Sequence, residues 1–175
     1  MIMEYAGKLI RGYLLSYSGL LAVSLIFSYL ANNYSSTPFI TESPTLFHGL
    51  IVAPSEEMFF RYFVPLLLMY FGFPYLLGSC MVAAPLFAAA HYWAYNNNIY
   101  AMLSAFTAGC WNSMIVYKYS GREPFNFSPG LLCAMLGHAS YNLTVTYMAD
   151  RMLEISVITA LLWALFEIYF RRVEE

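Results

Sequence analysis

The sequence predicts an all-α fold: a polytopic membrane helical bundle of about six transmembrane helices, with polar motifs on the second, third and fifth. Three observations predict it. Hydrophobic residues make up 61% of the 175 positions and charged residues only 10%, against about 25% charged residues in a soluble domain. Apolar stretches long enough to cross the hydrocarbon layer, which takes about 20 helical residues, recur between short polar loops. The basic residues are also one-sided. With the N-terminus inside, Lys8, Arg11, Lys118, Arg122, Arg171 and Arg172 fall on the cytoplasmic side and only Arg151 on the other, which is the positive-inside pattern.

The elements follow in order. Lys8 and Arg11 precede an apolar run, Tyr13 to Ala31, that is too long for a signal peptide and shows no cleavage site, so it is expected to be the first transmembrane helix. A polar loop, Asn32 to Pro44, leads to segment two, about Thr45 to Phe71, which the Gly72-Phe73-Pro74 turn ends. Segment three runs from Tyr75 to Trp93, with Asn96, Asn97 and Asn98 as the next loop. Segment four is Ile99 to Tyr117, segment five Gly130 to Met148 and segment six Leu153 to Phe170. Neither an internal repeat nor a low-complexity linker divides the chain. The expectation is a single transmembrane domain over 1–175 with a motif-bearing core at about 45–148. Cys80, Cys110 and Cys133 lie inside apolar segments without metal-ligand spacing and read as small buried hydrophobes. No basic run is present, which argues against nucleic acid as a partner and leaves membrane lipids as the expected surroundings.

Segment two carries the anomaly. Glu56, Glu57 and Arg61 sit within six residues of an otherwise apolar run, and each unpaired charge at the bilayer centre costs about 2.5–3.5 kcal/mol. Such a cluster needs partners or a water-filled cavity, and its default reading is a functional site. Glu57 and Arg61 are spaced i,i+4 and can pair on one helix face. Glu56 is rotated by about 100° from Glu57 and has no local partner, which makes it a candidate general base. As one straight helix the segment would be about 40 Å long, so either a break, for which Pro54 is the candidate point, or a strong tilt is expected. That break would place Ser55, Glu56 and Glu57 at a helix N-terminus.

The other intramembrane polar residues are candidate partners. His91 follows Phe87 by four residues at the end of segment three, where alone it would read as an interfacial side chain. His138 and Asn142 share a face of segment five, where alone they would read as an interhelical hydrogen-bonding pair. His48, Glu154 and Glu167 lie near segment ends and are expected to be interfacial. Together, Glu56, His91, His138 and Asn142 supply a base, two imidazoles and an amide, which suffice for attack of activated water on an amide with or without a metal.

Glu56-Glu57-Met58-Phe59-Phe60-Arg61, Phe87 to His91 and His138 to Asn142 form Glu-Glu-x-x-x-Arg, Phe-x-x-x-His and His-x-x-x-Asn in that order. This set resembles the CPBP family of intramembrane proteases, the CAAX protease and bacteriocin-processing family, and in particular its compact members. The resemblance implies an intramembrane endopeptidase that hydrolyses a peptide bond of a membrane-associated or lipid-anchored protein or peptide, with C-terminal tail processing as one form. It implies Glu56 as the base that activates water, His91 as its assistant, His138 and Asn142 as holders of the oxyanion, and Glu57, Arg61 and Phe87 in support. Family members have been described both as zinc metalloproteases and as glutamate-type proteases. If zinc serves, Glu56, His91 and His138 are its ligands; metal-free glutamate chemistry is the favoured expectation. The expected location is a prokaryotic cell membrane with both termini cytoplasmic. Two other functions fit the composition: a non-catalytic membrane peptide-binding or immunity protein, and a small proton-coupled transporter. The absence of repeat symmetry weighs against the last.

Overall fold

The computed structural model describes residues 2–35, 45–95, 97–120 and 128–174. Arg122, Asn96 and the 36–44 part of the first loop lie outside the described residues, as do the side chains of Arg171 and Arg172. The chain is an all-α membrane helical bundle. Six helices are described: α1 (Ile2–Tyr34), α2 (48–70), α3 (Tyr75–Ala90), α4 (Ile99–Ser120), α5 (Pro129–Tyr147) and α6 (Met152–Glu174). Three of them are long and apolar enough to cross a membrane: Glu4–Tyr34 in α1, Ile99–Ser120 and Ala149–Phe170. α5 has the length as well, and the polar side chains of His138, Ser140, Asn142, Thr144 and Thr146 lower its hydropathy. α2 falls short by its three charges and α3 by its length, and both are irregular for a further reason.

That reason is proline. Pro54, Pro65 and Pro85 each lack the N–H that would continue the α ladder, and each ring would collide with the carbonyl four residues back. In every case the preceding turn widens by one residue and closes with an i→i−5 bond: Ala53 to His48, Val64 to Phe59, and Ala84 to Ser79. These π turns keep the chain helical through each proline. The expected break at Pro54 therefore does not occur, and Glu56 and Glu57 lie inside a continuous helix rather than on free N–H groups. The carbonyl that Pro65 leaves unbonded, that of Arg61, accepts the Tyr75 hydroxyl at 3.0 Å, which ties α2 to the start of α3.

The ends are closed by local chemistry. The α2–α3 turn bonds Phe73 N–H to Leu68 O and Gly72 N–H to Met69 O, with Gly72 at φ 86° and Pro74 immediately after. Asn98 caps α4, its side-chain oxygen accepting from the N–H groups of Tyr100 and Ala101 at 2.9 and 3.2 Å. Ser128 caps α5 by accepting from Leu131 N–H, with Pro129 at the first helical position.

α1 is the central post and packs against α4, α5 and α6, while α2 lies on α5 and α3 on α4. Gly137 permits the close α1–α5 approach, because a Cβ there would run into the Ser16 side chain. At the other end of α1, Arg11 is buried, pairs with Glu167 at 3.8 Å and covers the Phe170 ring at 5.2 Å, locking α6 onto α1. Glu167 thus anchors two helices. His48 is exposed and bonds Thr45 Oγ1 at 2.7 Å. The three cysteines are free.

Candidate active site

α2 brings two carboxylates to the bundle interior on adjacent residues, and their surroundings differ sharply. Glu57 is 1% exposed and lies 3.3 Å from the Nε of Arg61, itself 1% exposed, so the i,i+4 pair forms as its spacing predicts. A buried charge is stable only when it is paired and hydrogen-bonded. Here a second partner arrives from α5: the Nδ1 of His138 lies 2.9 Å from Glu57 Oε1. A carboxylate only accepts, so this nitrogen donates. Glu56 keeps about a quarter of its side chain open and faces two imidazoles. Its Oε1 is 3.4 Å from His91 Nε2, and its Oε2 is 3.9 Å from His138 Nε2.

Each ring is held by its other nitrogen. His91 ends α3, and its Nδ1 donates to the Phe87 carbonyl at 2.8 Å, which aims Nε2 at Glu56. The Phe87 ring is the hub of the packing. It lies 4.6 Å from the His91 ring, 6.0 Å from the His138 ring and 5.3 Å from the Phe60 ring, with the Arg61 guanidinium 5.0 Å over its face. Tyr95 stacks on the far side of His91 at 5.5 Å with the planes 20° apart. Hydrophobic walls and fixed imidazoles around an open carboxylate are what a water-activating base requires.

Six of the seven residues that the motifs singled out therefore meet: Glu56, Glu57, Arg61, Phe87, His91 and His138. Asn142 lies one turn beyond His138 on α5, half-buried. Among the described residues no hydrogen bond joins its amide to Glu56, His91 or His138, and its backbone carbonyl accepts from Thr146 at 2.7 Å. His138 and Asn142 share a helix face one turn apart. His138 takes Glu57 instead, a residue 81 positions earlier.

Two buried polar residues were passed over by the motif reading. Asn112 of α4 is buried where α4 meets α1. Its own oxygen accepts from Ser16 of α1 at 2.8 Å. The available signal was a single asparagine in the middle of an apolar segment, which is costly there unless it is bonded.

Glu56, His91 and His138 offer the donor atoms of a two-histidine, one-carboxylate zinc site. As placed, among the described residues no group of three His, Cys, Asp or Glu side chains could hold a metal ion.

The profile of the family described as type II CAAX prenyl endopeptidase, Rce1-like, matches residues 38–144, more than half of the chain and all seven motif residues. The chain belongs to this family. No curated protein and no solved structure matches it. The Rce1-like match runs from the loop before α2 almost to the end of α5 and leaves α1 and α6 outside. Family membership supports a protease of CAAX type in the membrane, acting on a membrane-associated protein.

Proposed function

We propose that the chain is an intramembrane endopeptidase in which Glu56 activates water and the imidazoles of His91 and His138 handle the charge that develops. The observation that carries this reading is the convergence of both Nε2 atoms on the two oxygens of one partly open carboxylate, at 3.4 and 3.9 Å. A water held between Glu56 and His91 gives a proton to the carboxylate as its oxygen bonds the scissile carbonyl carbon. The tetrahedral oxyanion takes a hydrogen bond from Nε2–H of His138 in its doubly protonated form, whose charge Glu57 balances at Nδ1–H, and from Asn142 once substrate draws that amide in. Collapse breaks the C–N bond, and the proton from Glu56 goes to the leaving amine. The substrate is a protein or peptide with a membrane-anchored tail.

The test of the catalytic type is cleavage of a membrane-anchored peptide by the purified protein with and without a strong chelator. Side-chain chemistry predicts that the chelator leaves the rate unchanged. A rate lost to the chelator and restored by zinc would seat a metal on Glu56, His91 and His138 instead.

Orientation belongs to the same proposal. Positive-inside sidedness puts both termini in the cytoplasm. His91 closes α3 just before the turn to α4, and Asn98 in that turn reaches Ser35 beyond the C-terminal end of α1 at 3.5 Å. The site then opens toward the outer half of the membrane, which suits an exported substrate. A cysteine introduced at Asn97 is expected to react with an impermeant maleimide added to intact cells. Protection of that position until the cells are lysed would reverse the orientation.

A further inference from the structure

α1 and α5 are joined by hydroxyl groups at matched intervals. Tyr13 and Tyr17, one turn apart on α1, stack at 5.9 Å with their planes 18° apart. Tyr13 Oη lies 3.1 Å from Ser140 Oγ, and Tyr17 Oη bonds Thr144 Oγ1. Ser140 and Thr144 are likewise one turn apart on α5. A third rung runs the other way: the Tyr141 hydroxyl of α5 donates to Ser24 Oγ of α1 at 3.0 Å. The second rung has a fixed direction. Thr144 commits its own proton to the Ser140 carbonyl at 2.9 Å, so Tyr17 is the donor to Thr144. Tyr17 is 8% exposed, Thr144 5% and Ser24 2%, and Ser16 against Gly137 marks the close approach of the two backbones.

The rungs stand on one side of α5 and the site lies on the other. At about 100° per residue, Ser140 and Thr144 lie about 200° and 240° round the helix axis from His138. On its own side His138 meets Glu57 of α2 at 2.9 Å. Helix α5 is thereby held between α1 and α2, and its rotation decides where His138 points. Apolar packing specifies that rotation weakly in a bilayer, because lipid is as apolar as the side chains it competes with; directional bonds specify it better. A side chain extends about 5–6 Å from the helix axis, so a turn of about 20° carries the His138 ring through about 2 Å. That is enough to break the bond to Glu57 and to take Nε2 out of line with Glu56. Tyr141 adds a direct link, since its ring lies 6.4 Å from the His138 ring while Ser24 holds its hydroxyl.

We infer that Tyr13, Tyr17 and Tyr141 are positioning residues: with Ser140, Thr144 and Ser24 they set the rotation of α5 that presents His138 to Glu57 and Glu56. α1, which the family match does not include, then acts as the rotational stop of the site. The consequence for cleavage rests on the proposed protease reading; the geometry does not.

The experiment uses the full-length protein in detergent with 15N-labelled histidine; only three histidines are present, which makes assignment direct. The wild-type His138 Nδ1–H signal is expected far downfield, as befits a proton held on a buried carboxylate. Tyr13→Phe combined with Tyr17→Phe keeps both rings and removes both hydroxyls. This double variant is expected to move or erase that signal and to lower kcat for peptide cleavage about tenfold with KM nearly unchanged, the scale of other supporting-residue losses. Ser156→Ala removes a bond of similar kind between α6 and α1, from Ser156 Oγ to the Ser18 carbonyl at 3.4 Å, and is expected to leave both signal and kcat at wild-type values. Thr144→Val, nearly unchanged in size, decides the matter if the double variant does not fold. An unchanged His138 signal in the folded variant would overturn the inference, and so would an equal change in Ser156→Ala. Because the signal is read without substrate, a moved signal in a chain whose wild type cleaves no peptide would uphold the positioning role and sink the protease reading alone.

Discussion

Glutamine in place of Glu56 is expected to lower kcat by about 100- to 10,000-fold, the range that a positioned general base contributes, while the protein still inserts and unfolds at the wild-type temperature. Glutamine matches glutamate in shape, so Phe87, His91 and His138 keep their packing. Glu56 is the more exposed of the two carboxylates and, among the described residues, pairs with no Lys or Arg; its neighbours are imidazoles at 3.4 and 3.9 Å. The substitution therefore removes a proton acceptor and little else. The measurement is peptide cleavage by purified protein under saturating substrate, read beside a thermal unfolding curve of the same sample. Full activity in Glu56→Gln would end the assignment of the base.

The second large effect falls on stability. Arg61→Met is expected to destabilise the bundle by about 3–5 kcal/mol, because it strands Glu57, 1% exposed, without its countercharge. Total stabilities of about 5–15 kcal/mol make this a loss of a fifth or more. Arg61→Lys is not expected to rescue, since an ammonium has neither the flat fork nor the planar face that lies 5.0 Å over Phe87. Replacing both partners, Glu57→Met with Arg61→Met, is expected to restore most of the unfolding temperature, since an apolar pair removes the desolvation penalty on both sides. Activity is not expected to return, because His138 Nδ1 has then lost its acceptor. A double variant as unstable as Arg61→Met would show that the ion pair itself, rather than its desolvation, holds the helices. One as active as the wild type would remove Glu57 from the site.

The two experiments separate two adjacent glutamates that composition cannot tell apart. Their difference comes from one residue of helical rotation. Glu57 points into the packed centre, where α4 and α5 meet α2, and must be fully satisfied there. Glu56 points toward the end of α3 and keeps room for water. Proline shapes this indirectly. The π turns 48–52 and 59–63 flank the segment Ala53–Met58 that carries both carboxylates. Each extra residue rotates the following face by about 100° relative to a straight α-helix. A helical wheel drawn through the whole of segment two therefore misplaces its far end.

Local pattern made much of this molecule legible. Runs of apolar residues separated by polar turns dictate helices, because no water is available in a bilayer to satisfy an open backbone. Three charges in such a run had to be paired, and the i,i+4 spacing of Glu57 and Arg61 named the pair correctly. The ordered motifs marked Phe87, His91 and His138 for the same reason: each is a residue that lipid alone would reject or that packs beside one.

What only the tertiary structure decided is which side chain meets which. Periodicity states the face of a helix that a residue occupies but not how far that helix is rotated against its neighbour. His138 could have turned to Asn142 on its own helix and instead takes Glu57 on another. Asn112 and Ser16 were single polar residues in apolar runs, and their directional bond exists only because α1 and α4 pack together. The sequence determined that buried charge had to be neutralised somewhere in the bundle; packing determined that neutralising Glu57 would also aim His138 at Glu56.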